Sequence, residues 1–506
     1  MANVLRSPVV LIVLDGWGYR DEKENNAIAL GDTPFYDHLW QDFPHATLHA
    51  SEENVGLPIG QFGNSEIGHM TIGAGRIIDT DLVKIAKAIR DGSFATNPAF
   101  VQLFDHVKKH QSVLHVQGLV SDGGVHSHQE HLEAFLIAAK AAGVERVAIH
   151  AFTDGRDTAP QSASKFLKQL EDTVAKLGIG AIASAGGRFY AMDRDNNWDR
   201  ISKTEAAIFE CKGKICQFKK PSEIFEELYA EGVLDEHAEP VVFVDELGKG
   251  YQVQKNDGVF FFNFRADRAR QLSQRIAEKA QELNLCFVTM TQYEESLPAL
   301  VAFPQAKIAT TLAAEVSQAG LSQAHIAETE KYAHATYFLN GGIEAKHEGE
   351  EHILVPSRKD IPTHDLAPLM RAEGIADKAL EQIAAGKHFI FINFANADMV
   401  GHTANQPAML IAVAEVDKQL KRVVEATTAA GGVVFITADH GNAELMIDPV
   451  TGEKHTAHTL NEVPAIITDQ KYSIHDQGTL ADVAPTILQI MGLPQPAAMT
   501  GQSLLK

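Results

Sequence analysis

Cysteine is nearly missing from this chain: Cys211, Cys216 and Cys286 are the only three in 506 residues, an odd number with no C-x-x-C spacing. A disulfide framework is therefore not expected, and the usage fits a reducing compartment. Long apolar runs are also lacking. No stretch approaches the roughly 18 uninterrupted apolar residues of a membrane span, and the N-terminal run PVVLIVL closes on Asp15 after seven residues, too short for the core of a signal peptide. These absences lead us to expect a cytoplasmic protein without a membrane partner. Positive charge is in short supply, with 44 basic against 66 acidic side chains and a formal net charge of −22. A polyanion would meet repulsion over much of that surface, so nucleic acid is not an expected partner. A small phosphorylated substrate stays open, because a few clustered arginines can build a positive pocket inside an acidic protein. Internal repeats, low-complexity tracts and Pro/Ser-rich linkers are lacking too, so composition does not locate a domain boundary.

What is present is ample core material. Hydrophobic residues make up 45% and charged residues 22%, ordinary for a globular protein, and the length exceeds what one core usually organises, so two domains are expected. Apolar runs of strand length alternate with stretches of helical period. The runs are VVLIVLD at 9–15, SVLHVQGLVSD at 112–122, VAIHAFTD at 147–154, GVFFFNF at 258–264, LCFVTM at 285–290, HFIFINFANAD at 388–398 and GVVFITADH at 432–440. Between them, Leu82, Ile85, Ala86 and Ile89 precede Gly92 at helical spacing, and Leu132, Phe135, Leu136 and Ala139 do so before Gly143. This alternation predicts an α/β architecture with mostly parallel sheets and amphipathic crossover helices.

Several runs end on residues that carry chemistry. VVLIVLDGWG places Asp15 at a strand end, FINFANADMVGH supplies Asp398 and His402, VVFITADHGN supplies Asp439 and His440, and HTAHT adds His455 and His458. Ligands collect beyond the carboxyl ends of parallel strands, so these sets could share one crevice. Aspartate and histidine without thiolate suit manganese, magnesium, cobalt or zinc, with enough ligands for two ions. Asp-Gly is also ordinary turn chemistry, which leaves Asp15 open between ligand and turn. In GQFGNSEIGHMTIGAGR, Ser65 lies among glycines that let backbone approach a phosphate. It reads either as a nucleophile activated by metal or as a helix-capping serine.

A second constellation combines SDGGVHSH with His126, DGRDTAP with Arg156 and Asp157, GGRFYAMDRDNNWDR with Arg188 and Arg194, and FFNFRADRARQL with Arg265 and Arg268. Arginine's planar fork holds carboxylate or phosphate through two bonds, so the set suggests an anion clamp. Each arginine alone could equally be a solvated side chain. His126 and Asp157 supply groups able to give and take protons beside it, and His128 and His131 read as supporting or surface residues.

In order along the chain, VLDGWG, GNSEIGHM, SDGGVHSH, DGRDT, GGRFYAMDRD, FNFRADRARQ, TEKYAHATYFLNGG, NFANADMVGH, TADHGNAE and HTAHT resemble cofactor-independent phosphoglycerate mutases of the alkaline-phosphatase-like superfamily. The resemblance implies two α/β domains with mostly parallel central sheets flanked by helices. An alkaline-phosphatase-like metal domain, residues 1–76 and 311–506, would carry an inserted phosphotransferase domain, 77–310, that binds substrate. It further implies two divalent metal ions, most naturally Mn2+ with Mg2+ or Co2+ as alternatives, no bisphosphoglycerate, and a monomer acting on phosphoglycerate. One ion would take Asp398, His402 and His458, and the other Asp15, Ser65, Asp439 and His440. His458 is preferred over His455 by its place before the run TLNEVP. Lys331, from TEKYAH, would reach the transferring phosphoryl group. His126, Arg156, Asp157, Arg188, Arg194, Arg265 and Arg268 would bind the substrate, with Asp157 as base and His126 as acid, while Ser65 carries the phosphoryl group between the two hydroxyls of glycerate.

Overall fold

The protein is described here by a computed structural model covering residues 7–305 and 308–506. The chain divides into two compact units, one made of Met1–Thr80 with Lys307–Lys506 and the other of Asp81–Ala306. Both are α/β, and each has its own eight-stranded, mostly parallel sheet. Among the described residues, no helix is long and apolar enough to cross a membrane.

In the first unit the sheet order is Glu350–Val355, Gln323–Glu328, Phe389–Phe394, Val9–Leu14, Val433–Thr437, Val463–Ile467, His45–His49 and Gln477–Thr479. The central strand VVLIVL is at most 1% exposed at every position. A strand apolar on both faces must be covered on both, which a parallel sheet between helices provides. It runs parallel to its two neighbours in matched register, with Leu14 beside Phe394 and Val13 beside Thr437. Asp15, the turn leading to Asp398, and Asp439 therefore leave the sheet at the same edge.

Ser65 is placed by the helix Ser65–Ala74, which packs unusually close to that edge. Asn64 caps it, its side chain accepting from Ile67 N–H at 3.0 Å. Ser65 is thus the first helical residue and not the cap. A Cβ added at Gly68 would lie 2.7 Å from the carbonyl oxygen of Asp439, and one at Gly73 would overlap the carbonyl of Leu339. Small residues at 68 and 73 are what bring the helix down onto the strand ends. Gly73→Ala should cost about 3 kcal/mol in chemical denaturation, at the upper end of overpacking penalties because the obstacle is backbone. A loss below about 0.5 kcal/mol, the scale of a neutral surface change, would show that the helix has room to move.

The second unit orders its strands as Leu300–Phe303, Cys286–Thr291, Gly258–Phe261, Leu114–Leu119, Val147–Thr153, Ala181–Gly187, Val241–Phe243 and Lys214–Cys216. Alternating side chains build a core on each face: Leu114, Val116 and Phe260 belong to one, Leu119, Val259 and Phe261 to the other. The predicted helical stretches form Asp81–Asp91 and Gln129–Ala141. His126, Asp157 and Arg188 all follow strands of this sheet, in or after the turns beyond Leu119, Thr153 and Gly187.

Candidate active site

Ser65, Lys331 and the acidic strand-end residues of the first unit converge. Ser65 Oγ lies 2.6 Å from Lys331 Nζ, 3.0 Å from His440 Nε2 and 3.4 Å from Asp15 Oδ1. Lys331 Nζ also donates to Asp15 Oδ1 and Asp398 Oδ2, each at 2.7 Å. Asp398 Oδ1 faces His458 Nε2 at 3.1 Å and His402 Nε2 at 3.2 Å. Asp439 Oδ1 accepts from Gly16 N–H at 3.3 Å, and its Oδ2 stands 3.6 Å from His440 Nε2. Two ligand groups result, Asp398–His402–His458 and Asp15–Asp439–His440, the chosen atoms of each lying within 4.8 Å of one another. His455 belongs to neither: its backbone N–H bonds Met446 O at 3.0 Å.

Charge in this pocket is unbalanced. Asp15, Asp398 and Asp439 are at most 2% exposed, and Lys331 is 4% exposed. Burial, then the nearby Asp439 carboxylate, pushes the pKa of Asp15 up. Burial acts the same way on Asp398, but the Lys331 ammonium and the His402 and His458 rings overcome it and hold that carboxyl well below its usual range. Lys331 is raised because Asp15 and Asp398 outweigh its own desolvation.

The second unit gathers the arginines. Arg188, 3% exposed, donates to Asp154 Oδ1 at 2.7 Å and to Asp157 Oδ2 at 2.6 Å. Asp154 also accepts from Ser121 Oγ and from the N–H groups of Arg156 and Asp157, which shapes the DGRDT turn. Arg265 and Arg194 reach the two oxygens of Asp267 at 3.1 and 3.3 Å, and Arg268 donates to Met192 O. Arg268 has its pKa lowered by burial and then by Arg194, Arg188 and Arg156. Mutual repulsion among these guanidinium groups disfavours their charged forms, and an anion among them would relieve it. Arg156, Arg194 and Arg265 are about half exposed, with only carboxylate contacts at the rim. His126 is buried, and burial followed by Arg188 pushes its pKa down to about 4.

Residues 85–295 match the family described as BPG-independent PGAM N-terminus, and residues 317–490 match type I phosphodiesterase / nucleotide pyrophosphatase. Over 98% of both sequences the chain is 47% identical to a 2,3-bisphosphoglycerate-independent phosphoglycerate mutase of Chloroflexus aggregans. Its identity to the enzyme of the same name from Moorella thermoacetica is also 47%, covering 100% of this chain and 99% of the relative. The chain belongs to the 2,3-bisphosphoglycerate-independent phosphoglycerate mutases. A crystal structure of Leishmania mexicana phosphoglycerate mutase at low cobalt concentration is similar as well, with a TM-score of 0.56 and 30% identity over 100% of this chain and 99% of that one. As a member of this family the protein is an isomerase.

The donor set of this phosphoglycerate mutase fits divalent cations. His402 Nδ1 is 2.9 Å from Thr456 O, His458 Nδ1 2.8 Å from Gly63 O, and His440 Nδ1 3.3 Å from Gly441 O. A carbonyl only accepts, so each ring keeps a proton on Nδ1 and turns Nε2 toward the carboxylates. Ring nitrogens and buried carboxylate oxygens turned toward one another call for positive charge between them, supplied either by protons on His402 and His458, whose pKa values Asp398 raises, or by divalent cations.

Several residues in contact with these groups escaped sequence reasoning. His69 Nδ1 is 3.2 Å from Asp439 Oδ2, and Asn393 Nδ2 donates to Asp15 Oδ2 at 2.8 Å. His69 follows Ser65 by four residues on one helix, so GNSEIGH carried a readable signal; Asn393 lies inside an apolar strand and carried none. Asp154 and Asp267 sat in motifs already quoted and were not singled out there.

The same unit predicts a pH dependence. His131 is buried, and burial, with His128 nearby, pushes its pKa down to about 3. Unfolded imidazoles titrate near about 6.5, so below that pH the unfolded chain binds more protons than the folded one. Stability therefore falls as pH drops from about 6.5 toward the folded values of His126 and His131, and is recovered above 6.5. His131→Phe should flatten this slope in denaturant titrations at pH 7 and pH 5. A slope identical to wild type would mean that His131 is not held neutral.

Proposed function

We propose that this phosphoglycerate mutase interconverts 3-phosphoglycerate and 2-phosphoglycerate through a phosphoserine at Ser65, in a site for two divalent cations. Asp398, His402 and His458 would hold one, and Asp15, Asp439, His440 and Ser65 Oγ the other. Mixed oxygen and imidazole ligands favour Mn2+, with Mg2+ or Co2+ as alternatives. When bound, such cations act as Lewis acids that lower the pKa of a coordinated hydroxyl and offset charge on phosphoryl oxygens.

Ser65 Oγ forms its bond to phosphorus as the bond from phosphorus to O3 of the substrate breaks. The leaving O3 alkoxide takes its proton from the protonated form of His126, giving glycerate. Lys331 donates to the oxygen on which charge develops. Arg156, Arg188, Arg194, Arg265 and Arg268 bind the carboxylate and phosphate of the substrate, and Asp157 accepts the proton that the 2-hydroxyl loses, which replaces the one given by His126. O2 of glycerate then attacks phosphorus and Ser65 Oγ departs, so no bisphosphoglycerate is consumed.

The observation that carries this reading is the placement of Ser65 Oγ within 3.4 Å of Asp15, His440 and Lys331 together. A hydrolase would use the same metal residues, but it would have no use for the guanidinium cluster around Arg268. The decisive experiment gives purified protein 3-phosphoglycerate and Mn2+, with no bisphosphoglycerate, and follows both 2-phosphoglycerate and inorganic phosphate. Stoichiometric 2-phosphoglycerate is expected; release of phosphate in its place would make the protein a hydrolase.

A further inference from the structure

Glu444 is fully buried and has no part in the chemistry above. Its carboxylate accepts from Gly18 N–H at 3.1 Å and Asn442 N–H at 2.8 Å through Oε2, and from Asn461 Nδ2 at 2.9 Å and Thr459 Oγ through Oε1. A carboxylate offers about four lone-pair sites, so these donors leave none for a metal or a proton. The donors come from three loops, and each loop carries proposed ligands. Gly18 follows Asp15, Asn442 follows Asp439 and His440, and Thr459 follows His458. Asn442 in turn points its Nδ2 at Asp398 Oδ1, 3.5 Å away.

The two glycines nearest the carboxylate support the same point. A Cβ at Gly18 would overlap the Glu444 carboxyl group, and one at Gly441 would lie 2.5 Å from its Oε1. Neither glycine has a positive φ, so backbone conformation does not require glycine at either place. What requires it is the space taken inside the motifs DGWG and DHGN, by the carboxylate at Gly18 and by the Thr459 hydroxyl together with the carboxylate at Gly441.

We propose that Glu444 is a positioning residue that fixes the spacing between the two cation sites by tying their three ligand loops to one buried charge. This rests on the two-cation reading. Glutamine at 444 would turn an N–H2 toward groups that can only donate or already donate, and the loops would separate.

The test is a Mn2+ titration of metal-free protein followed by electron paramagnetic resonance, which reports the number of ions, their affinity and, through spin coupling, their separation. Wild type should bind two coupled ions. Glu444→Gln should bind Mn2+ about 10–100-fold more weakly, the range seen when supporting partners of ligands are lost, with altered coupling. Its kcat at saturating Mn2+ should fall while KM for phosphoglycerate stays near wild type, and Glu444→Asp should restore part of the affinity. Gly18→Ala, which leaves Glu444 in place but crowds its carboxylate, should loosen binding in the same way and covers the case in which Glu444→Gln does not fold. Wild-type affinity and coupling in folded Glu444→Gln or in Gly18→Ala would overturn the role of Glu444 alone. A wild-type chain that binds a single ion would overturn the two-cation reading, and this proposal with it.

Discussion

Ser65→Ala should lower kcat by at least about 10⁴-fold at saturating Mn2+ while leaving the fold intact, because a route through a covalent intermediate loses its nucleophile altogether. The fold should survive because Ser65 contributes little packing; the helix it opens is capped by Asn64 and held down through Gly68 and Gly73. A modest loss of metal affinity is expected as well, since Oγ is one of the proposed ligands, so the comparison must be made with metal in excess. Intact wild-type protein quenched during turnover should carry one added phosphoryl group by mass, on the peptide containing Ser65, and the alanine variant none. Turnover retained within tenfold of wild type would rule out the phosphoserine route. Turnover lost while phosphate still appears on another residue would move the nucleophile elsewhere in the pocket.

The sequence made some parts of this molecule plain and hid others, for physical reasons. VVLIVL and FIFINF read as strands because both faces are buried, and a strand covered on both sides must be apolar throughout. Ala181–Gly187, AIASAGG, is equally a strand but has only Ile182 as a large apolar side chain to announce it. Its small residues exist because Gly186 packs on Pro240 and Gly187 on the backbone of Glu236, neighbours that only the tertiary structure brings. Gln323–Glu328 is fully buried too, yet carries Gln323, His325 and Glu328 among its apolar residues. His325 meets the carbonyl of Ala335 at 2.9 Å, while Glu350 on the adjacent strand accepts from Asn340 and lies against His352. That buried network ties down the segment after Lys331. Around Ser65, strand-end Asp15 and Asp439 stood out as ligand candidates because strand ends are where parallel sheets present such groups. Lys331 was legible only through family resemblance, since a lone lysine in TEKYAH carries no local mark. Glu444 was hidden for the opposite reason: it sits in a motif already noticed, but its importance lies in four donors that arrive from distant parts of the chain.

Lys331→Met should make the stability of the metal unit depend on metal far more than it does in wild type. The ammonium bonds two buried carboxylates and Ser65 Oγ at once, and both carboxylates raise its pKa against the effect of burial. Breaking a buried pair by removing one partner costs about 3–5 kcal/mol, and here the partners left behind are Asp15 and Asp398, with Asp439 close by. In EDTA the variant should lose about that much stability. With Mn2+ in excess the cations offset the same carboxylates, and most of the loss should be recovered, so the gap between the two conditions should widen relative to wild type. The defect in EDTA should also shrink on lowering the pH: Asp15 already has a raised pKa that Lys331 helps to hold down, and without the lysine it takes up a proton sooner, which removes one of the uncompensated charges. Activity should not recover in parallel. Even with saturating Mn2+, kcat should stay down by about 10²–10³-fold, the scale of losing one charge-stabilising donor at a reacting oxygen. A variant as stable as wild type in EDTA would mean that the three carboxylates do not rely on Lys331 for compensation, and wild-type kcat would mean that Lys331 does not act on the transferring phosphoryl group.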